Sequence, residues 1–334
     1  MSKAVSPKKQ PQRGVGLDIP ERPIAIVITG PTGVGKTDLS IEVAKMVGGE
    51  IISADSMQVY RGMDIGTAKA TASERAGIPH YMLDIRPASS SFDVSDFFYE
   101  AKRAFELIVA KNRVPVIVGG TGFYLQALIH GPPLGPPSDA QVRADIEKEI
   151  ERFGIEALYD RLTKLDPDYA KRITARDKRK VARALEIMAI SHKKVSAFDP
   201  RRYSDGLNAH FCPWFLCCER EALYRRIEER CDEMLERGLL AEIDRLENEG
   251  LCRNTTASQA IGYKQGLDYL HSEQTPEDYA AFVQAFKLAS RRYAKKQFTW
   301  FRRHPEFRWL DVDKYTKSQA AQIIYRDFES AVSQ

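Results

Sequence analysis

Residues 24 to 37 read IAIVITGPTGVGKT, an apolar and largely β-branched run that passes directly into a glycine-rich loop ending in Lys36 and Thr37. From Gly30 onward the spacing fits G-x-x-x-x-G-K-[ST] without a gap. Gly30, Gly33 and Gly35 let the backbone around Thr32 and Val34 approach an anion closely, so that successive amide N–H groups form a cradle for phosphate oxygens. Lys36 adds a point charge. Thr37 opens a helix through DLSIEVAKM, where the helix N-terminus favours an anion and the hydroxyl is placed to ligate Mg²⁺. A bare strand-to-helix turn requires none of these four positions together. The loop therefore binds phosphate, and the open question is whose.

Outward from the loop, strand-like and helix-like segments alternate: IAIVIT and a helix over about 36–47, EIISA and a loop, YMLDI and a helix from about Ser95, VPVIV and GGTGFYLQALI. Short apolar runs between amphipathic helices predict βαβ units, hence an α/β fold with a P-loop-type parallel sheet flanked by helices. Ligands in such sheets bind beyond the carboxyl ends of the strands, which selects the loops 30–37, 55–60 and 119–124. After GPPLGPPS at 131–138 the periodicity is helical only, which predicts a small all-helical domain inserted into the core. The chain then returns through FCPWFLCC at 211–218 to a helical C-terminal part. The expected organisation is a disordered basic tail over 1–23, the P-loop core over 24–138, the helical insertion over 139–205, the return to the core with basic helices over 206–315, and a C-terminal tail or helix over 316–334.

A chain of 334 residues, 43% hydrophobic, can bury a large core, and the length suggests about two domains. No apolar run approaches the ~20 residues of a membrane span. Cys212, Cys217, Cys218, Cys231 and Cys252 include no C-x-x-C pair and no neighbouring His cluster, as expected of reduced thiols in an intracellular protein. The tail lacks a secretory apolar core, and its prolines with Asp18 and Glu21 match an organelle transit peptide poorly; the expectation is a cytoplasmic protein, with an organelle left open.

Asp55 falls at the tip of the second strand, facing the phosphate loop. A carboxylate there can take a proton from a nucleophile or hold Mg²⁺ through water, or it can order the loop as an Asx cap. Thr121, between glycines at a helix start, reads equally as a cap or as a second phosphate contact. The net charge of +4 names no partner, but its distribution says more. RITARDKRKVAR at 172–183 sets six basic residues against one acid, and Tyr279 to Pro305 contains Lys287, Arg291, Arg292, Lys295, Lys296, Arg302 and Arg303 with no acid. In the second stretch Tyr279, Phe282, Val283, Phe286, Ala289 and Tyr293 repeat at helical spacing and are expected to face the core, leaving the cations outside.

GPTGVGKT, ISADSMQVYRGMDIGTAK, PVIVGGTGFYLQAL, RKVARALEI, AIGYK and KKQFTWFR occur in this order, and over residues 24–312 the chain closely resembles the tRNA dimethylallyltransferases, also called tRNA isopentenyltransferases. ADSMQVY and GGTGFYL are particular to that family and its cytokinin-forming relatives. The resemblance implies that Gly30 and Thr32, Gly33, Val34, Gly35, Lys36 and Thr37 bind the diphosphate of dimethylallyl diphosphate with Mg²⁺ on Thr37, that Asp55 deprotonates the exocyclic amine of an adenine beside the tRNA anticodon, and that Arg226, in the segment LYRRI, assists the diphosphate. It implies further tRNA contacts from Asp55, Ser56, Met57, Gln58, Thr121, Arg143, Arg179, Lys180, Arg183, Gln259, Gly262, Tyr263, Lys264, Lys295, Lys296, Gln297, Trp300 and Arg302. With no cysteine beyond Cys252 the chain follows the compact form of the family without a zinc finger, expected to act as a monomer. Three alternatives stay open at this point: transfer to free AMP, ADP or ATP, a P-loop nucleotide kinase with Asp84 as its second carboxylate, and an RNA-binding module without catalysis.

Overall fold

The computed structural model of the chain describes residues 22–133, 135–198 and 206–333. The tail expected over 1–23 lies, but for its last two residues, outside the described residues. Six parallel strands form the central sheet in the order β4–β2–β6–β1–β7–β8, with β1 (Ile24–Thr29), β2 (Gly49–Ser53), β4 (His80–Tyr81), β6 (Val114–Val118), β7 (His210–Cys217) and β8 (Arg308–Asp311). A separate parallel pair joins β3 (Tyr60–Arg61) to β5 (Arg86–Pro87). Ala25 to Ile28 are fully buried, as an unbroken apolar run must be when helices cover both faces of a parallel sheet. Ile26 pairs with Val116 on one side and Cys212 on the other, and Ser53 pairs with Val118. That register brings the carboxyl ends of β1, β2 and β6 side by side.

The loops after these strands touch through their backbones. Ala54 N donates to Val118 O (2.7 Å) and Thr121 N to Ala54 O (3.3 Å). A Cβ on Gly119 would lie 2.1 Å from Ala54 O, so only glycine admits this approach. The phosphate loop leads into α1 (Lys36–Val47), and α2 (Val94–Ala110) is capped by Asp93, which accepts from Ser95 N and Asp96 N while Asp96 returns a bond to Asp93 N. Such a cap contributes ~1 kcal/mol. α3 (Gly122–His130) follows β6.

The insertion consists of α4 (Ala140–Leu165), broken at Gly154 (φ 82°), the single turn α5 (Pro167–Ala170) and α6 (Lys178–Ser191). Its core of Ile146, Ile150, Leu158, Leu162, Val181 and Leu185 is separate from that of the α/β part. The chain returns through β7 to α7 (Arg220–Glu236), α8 (Leu239–Asn248), α9 (Tyr263–Leu270) and α10 (Pro276–Phe301).

One segment differs from expectation, and a second, expected as a tail or helix, is a helix. YMLDI is not a strand beyond its first residue: Met82 and Asp84 take positive φ (65° and 58°), and Asp84 turns to bind Lys69 at 2.6 Å. The end of the chain is no loose tail, for α11 (Lys317–Val332) buries Ala320, Ala321 and Ile324 in the main core beside α1, while Asp327 accepts from the Trp214 indole at 3.1 Å.

Candidate active site

The phosphate loop is built as its spacing predicts, with Gly33 and Gly35 in the left-handed region (φ 80° and 91°). Lys36 Nζ folds back onto the carbonyls of Gly30 (2.9 Å) and Pro31 (2.8 Å). Enclosure by the loop, and then the neighbouring Arg230, push the Lys36 ammonium down to about 7, against a smaller upward pull from Asp55. Thr32 is the hub. Its N–H donates to Gln297 Oε1 (2.9 Å) and its hydroxyl accepts from Arg230 Nη1 (2.9 Å), while Gln297 Nε2 donates to Gly120 O (2.9 Å). Gln297 on α10 thus ties the phosphate loop to the loop after β6.

Asp55 faces this loop from the end of β2. Its Oδ1 accepts from Met57 N (2.8 Å) and Gln58 N (3.3 Å), so the Asx-turn reading holds for one oxygen. Among the described residues no hydrogen bond is assigned to Oδ2. Thr121 is the N-cap residue of α3 but makes no side-chain cap; its hydroxyl accepts from Ser56 N (3.2 Å) across the gap between loops. Burial first, and then the Asp55 charge, raise the Tyr293 phenol, which lies beside both Asp55 and Thr121.

Two cavities meet at this point. One, of about 510 Å³, is lined by Gly33, Gly35, Lys36, Thr37, Gly120, Arg226 and Arg237. The other, of about 400 Å³, is lined by Met57, Gly66, Ile227, Cys231, Ile261 and Phe286, with Arg179 of the insertion and Gln259 at its border. Thr32, Asp55, Thr67, Arg230, Met234 and Tyr293 line both. The arrangement is a channel with a glycine-lined end where Lys36 and Arg230 meet the phosphate loop and Asp38, Glu74, Glu229 and Glu233 also line the wall, a second end of mixed apolar and polar lining, and the Asp55 carboxylate at the neck.

Two residues, Arg230 and Tyr293, stand where the sequence reading does not place them. Arg226 borders the loop cavity but is held by Asp313 at 2.8 Å, and the arginine that reaches the loop is Arg230, one turn further along α7. Burial lowers the Arg230 guanidinium from its usual range. Its signal in the sequence is a cation at 230 within the otherwise apolar stripe Leu223, Ile227, Cys231, Met234. Tyr293 lies at the neck rather than deep in the core.

The residues implied as tRNA contacts divide into two groups. Tyr263 and Gly262 are buried, with the Tyr263 hydroxyl donating to Glu242 at 2.6 Å; Gln297 is buried in the loop clamp; Arg183 is held by Glu186 (2.8 Å) and the Pro136 carbonyl (2.6 Å). Of these, Tyr263 and Gln297 are cavity wall, and Arg183 is fixed at the insertion. Trp300 is half-buried, stacked on His304 with ring centroids 3.9 Å apart. Ser56, Met57 and Gln58 are half-buried, and Gln58 Nε2 donates to Thr67 O (3.2 Å). Arg143, Arg179, Lys180, Gln259, Lys264, Lys295, Lys296 and Arg302 are exposed. The cations of α10 do not all face outward: Lys287 pairs with Asp232 at 2.7 Å and Arg291 with Glu228, both on α7. Asp84, the carboxylate a kinase would need, is bound to Lys69 and borders neither cavity.

A family model described as IPP transferase matches residues 58–304. A tRNA dimethylallyltransferase of Protochlamydia amoebophila is 53% identical over 304 residues, covering 91% of this chain and 88% of that protein. One from Chlamydia pneumoniae is 43% identical over 91% of this chain and 89% of its own length. Among solved structures, the full-length tRNA isopentenylpyrophosphate transferase of Bacillus halodurans is similar with a TM-score of 0.67 and 39% identity, covering 94% of this chain and 99% of that one. A eukaryotic dimethylallyltransferase acting on tRNA gives a TM-score of 0.76 and 32% identity over 92% of this chain and 80% of that one.

Proposed function

This chain belongs to the tRNA dimethylallyltransferase family, and from that premise we propose that it transfers the dimethylallyl group of dimethylallyl diphosphate to the N6 amine of the adenosine 3′ to the anticodon of tRNA, with release of pyrophosphate. The observation that carries this reading is the neck. A phosphate cradle and an apolar cavity open onto each other at Asp55, so a donor anchored in one can meet an acceptor inserted in the other.

The diphosphate lies in the loop, held by its amides, Lys36 and Arg230, which oppose the charge that builds on the leaving group. The allylic carbon then reaches the neck. An adenine extracted from the anticodon loop enters the apolar cavity with its amine toward Asp55. The C–O bond to the diphosphate breaks, the N–C bond forms, and Asp55 Oδ2 accepts the amine proton while Oδ1 stays tied to Met57 N and Gln58 N. Tyr293, which lines both cavities with Thr121 beside it, helps to orient the amine.

Mg²⁺ fits the donor set on one side only. The exposed Thr37 hydroxyl at the start of α1 offers a hard oxygen, and no group of three or more His, Cys, Asp or Glu among the described residues could hold the ion alone. The ion would therefore be shared with the diphosphate, whose charge it neutralises, as Mg²⁺ usually is. Arg179, Lys180, Gln259, Lys264, Lys295, Lys296 and Arg302 supply the rim for the RNA phosphates. No helix among the described residues is long and apolar enough to cross a membrane, and we assign the enzyme to the cytoplasm with its tRNA.

Incubation with dimethylallyl diphosphate, Mg²⁺ and an unmodified anticodon stem-loop should yield RNA heavier by one dimethylallyl group at the adenosine after the anticodon, with one pyrophosphate per group transferred. Unchanged RNA mass in this mixture, with a phosphorylated product formed when ATP is supplied instead, would contradict the reading.

A further inference from the structure

Glu242 stands on α8 outside the channel, yet its carboxylate is buried and makes four short contacts. It accepts from three consecutive amides, Asp64 N (3.0 Å), Ile65 N (2.8 Å) and Gly66 N (3.1 Å), and from the Tyr263 hydroxyl (2.6 Å). Three successive N–H groups turned to one point form an anion-binding concavity, and here the chain fills it with its own side chain. The turn is thereby pressed against Tyr263, so closely that a Cβ on Gly66 would lie 2.5 Å from the ring. Lys69 fixes its far end, donating to Asp64 (2.5 Å), Asp84 (2.6 Å) and the Tyr60 carbonyl (3.0 Å). From the front, Gln58 ties Thr67 to the Asp55 loop at 3.2 Å.

This turn is also channel wall. Gly66 and Thr67 line the apolar cavity, and Thr67 is one of the residues that line both cavities. A donor held by its diphosphate at Lys36 must send its hydrocarbon past Thr67. The opposite wall is α7, where Ile227, Arg230 and Met234 are side chains of a packed helix.

We propose that Glu242 is a positioning residue that, by clamping residues 64–67, sets the width of the neck and so limits the length of the prenyl chain accepted. The inference rests on the donor orientation given under the proposed function. It makes Glu242 a specificity determinant without any contact to either substrate.

The test uses the full chain as wild type, Glu242→Gln and Tyr263→Phe, each assayed below its own melting temperature, with an anticodon stem-loop and either dimethylallyl or geranyl diphosphate. Glutamine presents one acceptor oxygen and turns an NH₂ toward the amides, so the turn loosens. The expected result is that kcat/KM for dimethylallyl diphosphate falls about 10–100-fold in Glu242→Gln while that for geranyl diphosphate falls less, so that the geranyl-to-dimethylallyl ratio rises about tenfold or more. Tyr263→Phe removes one of the four bonds and should raise the ratio about two- to threefold. Equal losses on both donors would overturn the inference, since a merely structural defect lowers both alike. Hydrogen exchange of the Ile65 and Gly66 amides reads the clamp independently of the chemistry: their protection should fall in Glu242→Gln with the rest of the core unchanged, and unchanged protection would overturn it. Wild-type failure to prenylate the RNA at all would instead strike the proposed function, while the exchange result would still judge the clamp.

Discussion

At the phosphate end of the channel the working groups come from one unbroken stretch, residues 30–37, joined by Arg230 and Gln297 from two helices; at the acceptor end the lining is drawn from positions scattered between Met57 and Tyr293, with Arg179 contributed by a domain that has its own core. The first end is a backbone cradle fixed before any ligand arrives, because its glycines, its lysine and its Thr32 hub are already bonded in place. The second end is a cavity bordered by the exposed Arg179 and Gln259. The difference suits the two substrates: a small anion needs close, rigid complementarity, whereas a folded RNA needs distributed charge.

The neck should be the most sensitive point, because it serves both ends. Asp55→Asn keeps an acceptor oxygen for Met57 N and Gln58 N but cannot take the proton, so turnover should fall about 10²–10⁴-fold while the affinity for either substrate changes little. A normal single-turnover rate, or a loss accounted for by a lower melting temperature, would remove Asp55 from the chemistry.

Damage at the phosphate end should leave the RNA untouched. Lys36→Ala or Arg230→Ala should each reduce turnover about 10²–10³-fold, through loss of ~2–4 kcal/mol at the leaving group, with RNA affinity retained. Arg226→Ala should cost less than about threefold, since its partner Asp313 is exchanged for water at a partly exposed site. A larger loss at Arg226 than at Arg230 would invert the assignment within α7.

The complementary variant strikes the rim. Replacing Arg292, Lys295, Lys296 and Arg302 together by Ser should raise the KM for RNA about tenfold and leave that for the diphosphate unchanged. If the wild type neutralises roughly five phosphates, its log affinity falls with log salt with a slope near −3 to −5, and the variant's slope should be visibly flatter. Lys287 and Arg291 are omitted because carboxylates of α7 already engage them.

A smaller effect than those of the neck, loop and rim variants is expected on donor affinity as pH changes. Lys36 in the free protein titrates at about 7, so it is mostly charged below that pH and mostly neutral above it. The diphosphate requires the charged form. Donor binding should therefore weaken about fivefold from pH 7 to pH 8 and take up a proton over that range, measurable by calorimetry in buffers of different ionisation enthalpy. A pH-independent constant would show that Lys36 stays charged in the empty loop.

The same contrast explains what the sequence made legible. The phosphate end was readable because its chemistry is local: spacing, strand and helix occur within fourteen residues, 24–37. The parallel sheet followed from the alternation of short apolar runs and amphipathic helices for β1, β2, β6 and β7; the four-residue β8 was not read, and at YMLDI only Tyr81 is strand because Asp84 turns to pair with Lys69. Arg230 lies one helical turn beyond LYRRI, whose two arginines are Arg225 and Arg226, and the decisive fact is that Arg226 is engaged by Asp313 after β8 whereas Arg230 reaches the Thr32 hydroxyl. Gln297 and Tyr263 were taken for RNA contacts although each is buried. Polarity marked both, but only the fold reveals that Gln297 bridges two loops and that Tyr263 answers Glu242.

The central claim is that a phosphate-cradling donor end and an acceptor end bordered by the insertion act together on RNA. Its most direct measurement offers labelled dimethylallyl diphosphate to the enzyme in one vessel containing an adenine-bearing anticodon stem-loop together with AMP and ATP, and follows where the label goes. The account predicts label in the RNA, with the nucleotides essentially unlabelled. Label in AMP or ATP and none in the RNA would contradict it.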